Sequence, residues 1–186
     1  MGAVSESEKP GRYARSAGGL IASLVVTVLA VLAFVAFRAV TSEDLEVRPE
    51  PVDYLDTVEL AQDSDLQIVY PPSLPDGWIA TNVAVVPGER PAFGLSILTD
   101  DETFIGVRQE DESLADLLTT YVDEETSEEG PTKFDSPIAT TWETYSDDGG
   151  DLAYATEIGD ATLLVYGSAD EDDLRLLLES LTTKPL

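Results

Sequence analysis

The chain has 186 residues, 37 acidic and 10 basic, for a net charge of −27, and it contains neither cysteine nor histidine. A surface this negative repels nucleic acid and anionic head groups, which excludes DNA and RNA as partners. Missing thiols rule out disulfides and thiolate zinc sites, and missing imidazoles remove the commonest general base and metal ligand.

Residues 1–16 are polar and too short to fold, and read as a disordered cytoplasmic tail. From Ala17 to Phe37 no charge interrupts the chain, and only Ser23 and Thr27 carry polar side chains. As a helix this stretch reaches about 32 Å, enough for a hydrocarbon core of roughly 30 Å, so residues 17–38 are expected to form a transmembrane helix. Lys9, Arg12 and Arg15 precede it, and Arg38 with Glu43, Asp44 and Glu46 follow it. The positive-inside rule then puts the amino terminus in the cytoplasm and the rest outside a plasma membrane crossed once. A cleavable signal peptide has a similar basic start but an apolar region of only about 7–15 residues. The lipid bilayer is therefore the partner this stretch implies.

Residues 39–64, acidic and marked by Pro49 and Pro51, read as an extracytoplasmic linker. Within it Tyr54, Leu55, Val58 and Ala61 fall at helical spacing, which admits a short helix. The remainder, 65–186, has the length of one domain. Leu66–Tyr70 reads as a short strand stopped by Pro71-Pro72, and Leu74-Pro75-Asp76-Gly77-Trp78 as a turn returning an aromatic to the core. Strands are expected at Ile79–Val86, Phe93–Leu98 and Thr103–Arg108. Ser113 then caps a helix striped by Leu114, Leu117, Leu118, Tyr121 and Val122.

The second half follows the same plan. Strands are read at Lys133-Phe134 with Ile138–Tyr145, at Leu152–Ile158 and at Ala161–Gly167. A capping box of Ser168 and Glu171 opens a helix carrying Leu174, Leu177, Leu178 and Leu181. Ile79-Ala80-Thr81 recurs as Ile138-Ala139-Thr140, which suggests a β-β-β-α duplication. The fold class is thus α+β: a mostly antiparallel sheet with two helices covering one face.

Candidate chemistry is sparse, and no cofactor is implied. Asp100-Asp101-Glu102 and Asp147-Asp148-Gly149-Gly150-Asp151 cluster carboxylates but lack the ligand spacing of a calcium loop, so they read as hairpin turns and no metal site is expected. Lys133 with Ser136 is the sole local pairing for serine–lysine chemistry, and it reads as a surface lysine in a proline-flanked loop. No catalytic residue is assigned, and the chain is not expected to be an enzyme. Trp78 and Trp142 are candidates for lining a ligand groove, with burial in the core the commoner fate of such aromatics. Arg90 and Arg108 are rare cations among acids; neutralising their neighbours is their ordinary role, and anchoring an anionic ligand or partner is the alternative.

The basic start and single span, then Val52-Asp53-Tyr54, then Pro72 with Leu74-Pro75-Asp76-Gly77-Trp78, carry a family likeness. Gly106-Val107-Arg108-Gln109-Glu110 and the Leu-rich closing helix complete it. In these features the chain resembles an actinobacterial family of membrane-anchored proteins called domain of unknown function 4245. The resemblance implies topology and assigns no activity. The expectation is a non-enzymatic envelope protein whose acidic outer domain contacts an extracytoplasmic protein or wall component. The alternative is an extracytoplasmic small-molecule or lipid-binding module.

Overall fold

The structure is a computed structural model describing residues 24–35 and 49–186, and the chain divides into two units, Met1–Arg48 and Pro49–Leu186. In the first unit, residues 24–35 are helical (α1), with large apolar side chains such as Leu24, Val26, Leu29 and Phe34 exposed. Among the described residues no helix is long and apolar enough to cross a membrane. The expected tail, the two ends of the Ala17–Phe37 stretch, and residues 39–48 lie outside the described residues.

The second unit is α+β, with one seven-stranded, wholly antiparallel sheet. Its elements are α2 (Tyr54–Gln62), β1 (Ile79–Val86), β2 (Ala92–Leu98), β3 (Phe104–Glu110), α3 (Leu114–Tyr121), β4 (Thr126–Lys133), β5 (Thr141–Asp147), β6 (Leu152–Ile158), β7 (Ala161–Gly167) and α4 (Glu171–Ser180). The strand order is β1-β2-β3-β7-β6-β5-β4, so two meanders meet where β3 pairs with β7.

The first face of the sheet carries the larger core. Phe93, Leu95, Ile97, Ile105, Val107, Trp142, Tyr154, Leu163 and Val165 meet Val58 of α2 and Leu174, Leu177 and Leu178 of α4. The second face carries a smaller cluster, in which Leu117 and Leu118 of α3 pack on Ala153, Ala155, Leu164 and Tyr166. The two helices that the sequence places on one face therefore lie on opposite faces. The cause is visible in β7, a run apolar on both sides: Leu163 and Val165 point one way, Leu164 and Tyr166 the other. The strand order is symmetric about β3 and β7, but a two-fold axis normal to the sheet would leave both helices on one face. The helices do not follow that symmetry.

Three strands differ from the sequence reading. Leu66–Tyr70 makes only an isolated bridge, Tyr70 with Thr182. The Gln109 side chain replaces a ladder there, accepting from the Val69 N–H at 2.8 Å and donating to the Gln67 carbonyl at 2.8 Å. The segment Thr126–Lys133 is instead a strand, although Glu128, Glu129, Gly130 and Pro131 carry charge and turn signals. It is an edge strand, largely exposed and bulged between Glu128 and Gly130, where proline and charge are tolerated because only one side is paired. The strand expected from Ile138 begins at Thr141.

Caps explain where the helices start. Ser113 accepts from the Asp116 N–H, as its spacing suggests. For α4 the cap is Asp170, accepting from Asp173 N–H at 2.9 Å, while Ser168 accepts from Phe104 N–H at 3.1 Å and ties β3 to the end of β7. Helix α2 is fixed to the domain: Asp53 caps it, the Val52 N–H donates to the Ala80 carbonyl at 2.8 Å, and Tyr54 Oη donates to the Pro71 carbonyl at 2.8 Å. Burial pushes the Tyr54 phenol up to about 12.

Candidate functional site

The second face of the sheet is read most easily by rows of side chains running across the strands. One row is Ala84, Gly94, Arg108, Leu164, Ala155, Glu143 and Pro131; the next is Asn82, Ser96, Gly106, Tyr166, Ala153, Tyr145 and Glu128. Helix α3 lies over β7 and β6, through Leu117 and Leu118 on Leu164 and Ala155. It leaves the β1–β2–β3 side open, with Asn82 and Ala84 exposed, and the β5–β4 side open as well.

On the β5–β4 side is a cleft of about 840 Å³. The β3–α3 loop contributes Asp111, Glu112, Ser113 and Leu114; the strands contribute Pro131, Thr141, Glu143, Ala155, Thr156, Glu157 and Thr162, with Asp160 from the β6–β7 turn. Five of these carry carboxylates and none is basic. The depth comes from small residues, because Ala155 and the threonines leave space that a leucine would fill. Thr162 Oγ1 donates to the Glu112 carbonyl at 2.8 Å, holding the loop to β7. Such a cleft attracts cations and repels anions.

None of Trp78, Trp142, Arg90 and Arg108 lines that cleft. Trp142 is fully buried in the larger core and donates its indole N–H to the Ala139 carbonyl at 2.8 Å. Trp78 is buried in the same cluster, held by the Trp78 N–H to Pro75 carbonyl bond of its turn at 3.1 Å. Gly77 there sits at φ +90, a conformation that favours glycine. Both tryptophans are packing residues in a filled core.

Arg90, in the β1–β2 turn, reaches Glu112 at 2.9 Å and Asp111 at 3.3 Å, and also donates to the Asp111 carbonyl. It pins the loop that launches α3, at the rim of the cleft. Arg108 behaves differently. Its guanidinium lies over Gly94, where a Cβ would meet Nη1, and its Cζ stands 4.5 Å from the centroid of the Tyr121 ring. Its Nε is buried without a hydrogen-bond partner. The acid two positions on, Glu110, accepts instead from Tyr121 Oη at 2.5 Å. Burial, then that hydrogen bond, pushes the Tyr121 phenol up to about 12.

The acidic turn from Asp147 to Asp151 is occupied by its own backbone. Asp147 Oδ1 accepts from the Asp151 N–H at 2.8 Å, and Gly150 at φ +94 closes the loop. Among the described residues no group of three or more Asp or Glu is placed to hold a metal. Ser136 Oγ accepts from the Ile138 N–H at 3.4 Å, and Lys133 lies in the β4 ladder opposite Thr141. Little in the sequence announces the cleft: its acids lie on two strands and two loops, with no common motif. The alternation of Ala153 and Ala155 with Tyr154 was the available signal of a shallow-sided sheet face.

Fold and surface together define an acidic α+β domain with a recessed, carboxylate-lined sheet face. The family model described as Protein of unknown function (DUF4245) matches residues 12–181, and the chain belongs to that family. A comparison with curated proteins gave no match.

Proposed function

We propose that this chain is a single-pass, membrane-anchored envelope protein, amino terminus in the cytoplasm, whose outer domain is a non-enzymatic interaction module. The observation that carries the interaction reading is the filled core. Trp78 and Trp142 are spent on packing, and the acidic cleft beside α3 is a concave surface left for recognition. Glu143, Glu157 and Asp160, the cleft carboxylates not held by Arg90, suit a cationic segment of an extracytoplasmic protein, by charge complementarity. The anchor reading is supported by the uninterrupted apolar stretch from Ala17 to Phe37. It is supported too by apolar side chains exposed all round the helical residues 24–35, the pattern of a helix that meets lipid or a protein interior.

Crosslinking in intact cells tests this, with the parent chain compared against Glu143→Lys and Glu157→Lys. A specific adduct on the parent that is lost in both variants is expected. An adduct indifferent to both reversals contradicts docking in the cleft. A second reading, an extracytoplasmic module for small molecules, draws on the volume of the same cleft, which matches that of ligand pockets. It predicts saturable binding of small amines at the cleft instead of a protein adduct.

A further inference from the structure

On the open β1–β2–β3 side of α3, away from the acidic cleft, the sheet offers one guanidinium on a floor of small residues. The row Ala84, Gly94, Arg108 and the neighbouring Asn82 and Ser96 build that floor, while Gly106 lies beneath the Tyr166 ring. Gly94 is required for it, because any side chain there would displace the guanidinium. Tyr166, across from Gly106, and Tyr121 stand along one side, their ring centroids 5.9 Å apart. We propose that Arg108, laid over Gly94 and against Tyr121, is a binding site for the carboxylate of a small monoanionic ligand.

Three observations carry it. First, Arg108 is a cation without an ion pair in a chain of net charge −27, whereas Arg90 and Arg175 each hold carboxylates. Its Nε is buried and unpartnered, and leaving a charged donor unmade costs more than leaving a neutral one. Second, the nearest acid of its own strand, Glu110, is taken by the Tyr121 hydroxyl. The domain thus keeps its own carboxylate off the guanidinium, whose Nη atoms, unlike the buried Nε, stay available. Third, the guanidinium is held against Gly94 and over the Tyr121 ring, which fixes the position of its Nη donors for a carboxylate. A planar fork also matches phosphate. The surrounding negative charge and the adjacent Glu110 penalise a dianion about twice as heavily as a monoanion, which selects the carboxylate.

The site is separate from the cleft to which a cationic partner is assigned, so either can fail without the other. The test is titration of the purified full chain, at constant ionic strength, with benzoate, with the neutral isostere benzamide and with inorganic phosphate. Binding is followed through the Arg108 Nε–H and Tyr121 ring resonances. Benzoate is expected to shift both saturably, benzamide and phosphate not, and Arg108→Gln to weaken benzoate about tenfold or more. Tyr121→Phe keeps the ring under the guanidinium but frees Glu110 to compete for it, and is expected to weaken benzoate binding as well. The idea is overturned by an absence of saturation or by equal responses to benzamide. Tighter binding of phosphate than benzoate overturns the carboxylate assignment. Unchanged benzoate affinity in either variant overturns the role given to Arg108 and Glu110.

Discussion

Trp142 is the largest fully buried side chain among the described residues, with its one polar atom satisfied by Ala139. Trp142→Ala is expected to cost about 3–5 kcal/mol in urea unfolding, because it opens a large cavity and strands a carbonyl. Loss below about 1 kcal/mol would mean the core is less filled than described. Asp151 makes a pH prediction. Burial first, and then Asp147, raise its carboxyl above the ordinary value of 3.8. The folded state therefore holds this proton more tightly than the unfolded chain does. Stability from this group is gained as pH falls into the window just above 3.8 and is lost as pH rises through the folded value. Asp151→Asn is accordingly expected to melt higher than the parent at pH 7, with the difference shrinking toward pH 4. A difference that instead grows on acidification would contradict the sign. Residues of this kind were partly legible. Trp78 is recognisable as an aromatic returning to a core after a turn, and burial is the commoner fate expected of both tryptophans. Nothing in the sequence distinguished Arg108 from Arg90, because what separates them is a glycine on a neighbouring strand and a tyrosine on a helix.

Among elements, the hairpin partners and the helices were legible because their signals are local. Ile79–Val86, Leu152–Ile158 and Ala161–Gly167 occur as the alternation and flanking turns indicate, and Ser113 caps as its spacing indicates. What stayed hidden was non-local. An edge strand needs no apolar face, so Thr126–Lys133 wore the composition of a loop. The side of the sheet chosen by each helix depends on β7, whose both faces are apolar, and periodicity cannot decide between two buried faces. The opposite-face arrangement has a direct consequence. Leu117 and Leu177 belong to separate clusters with the sheet between them. Each change to alanine should cost about 2–5 kcal/mol, and the double variant should lose the sum within about 0.5 kcal/mol. A larger coupling energy would place both helices on a shared face. The cap of α4 follows the same logic: Asp170→Ala is expected to cost about 0.5–2 kcal/mol, and Ser168→Ala should not affect helix initiation.

For the whole molecule, charge and topology set the behaviour. A chain at −27 repels itself, and ion pairs are few among the described residues; at the start of α4 burial first, and then Asp170, Asp100, Asp101 and Asp172, raise the Asp173 carboxyl. Raising sodium chloride from about 50 mM to about 500 mM should therefore raise Tm, since screening weakens repulsion more than it weakens the few surface pairs. A falling Tm would show that those pairs outweigh the repulsion. The function proposed for the chain depends most on which side of a membrane the acidic domain faces, and the absence of native cysteine makes that directly measurable. Single cysteines are placed at exposed Glu124 (Glu124→Cys) and in the amino-terminal stretch (Ser5→Cys), and intact cells are treated with a membrane-impermeant maleimide. Labelling of Glu124→Cys in intact cells, with Ser5→Cys protected until lysis, is the predicted result. Protection of Glu124→Cys, or labelling of Ser5→Cys from outside, would contradict it.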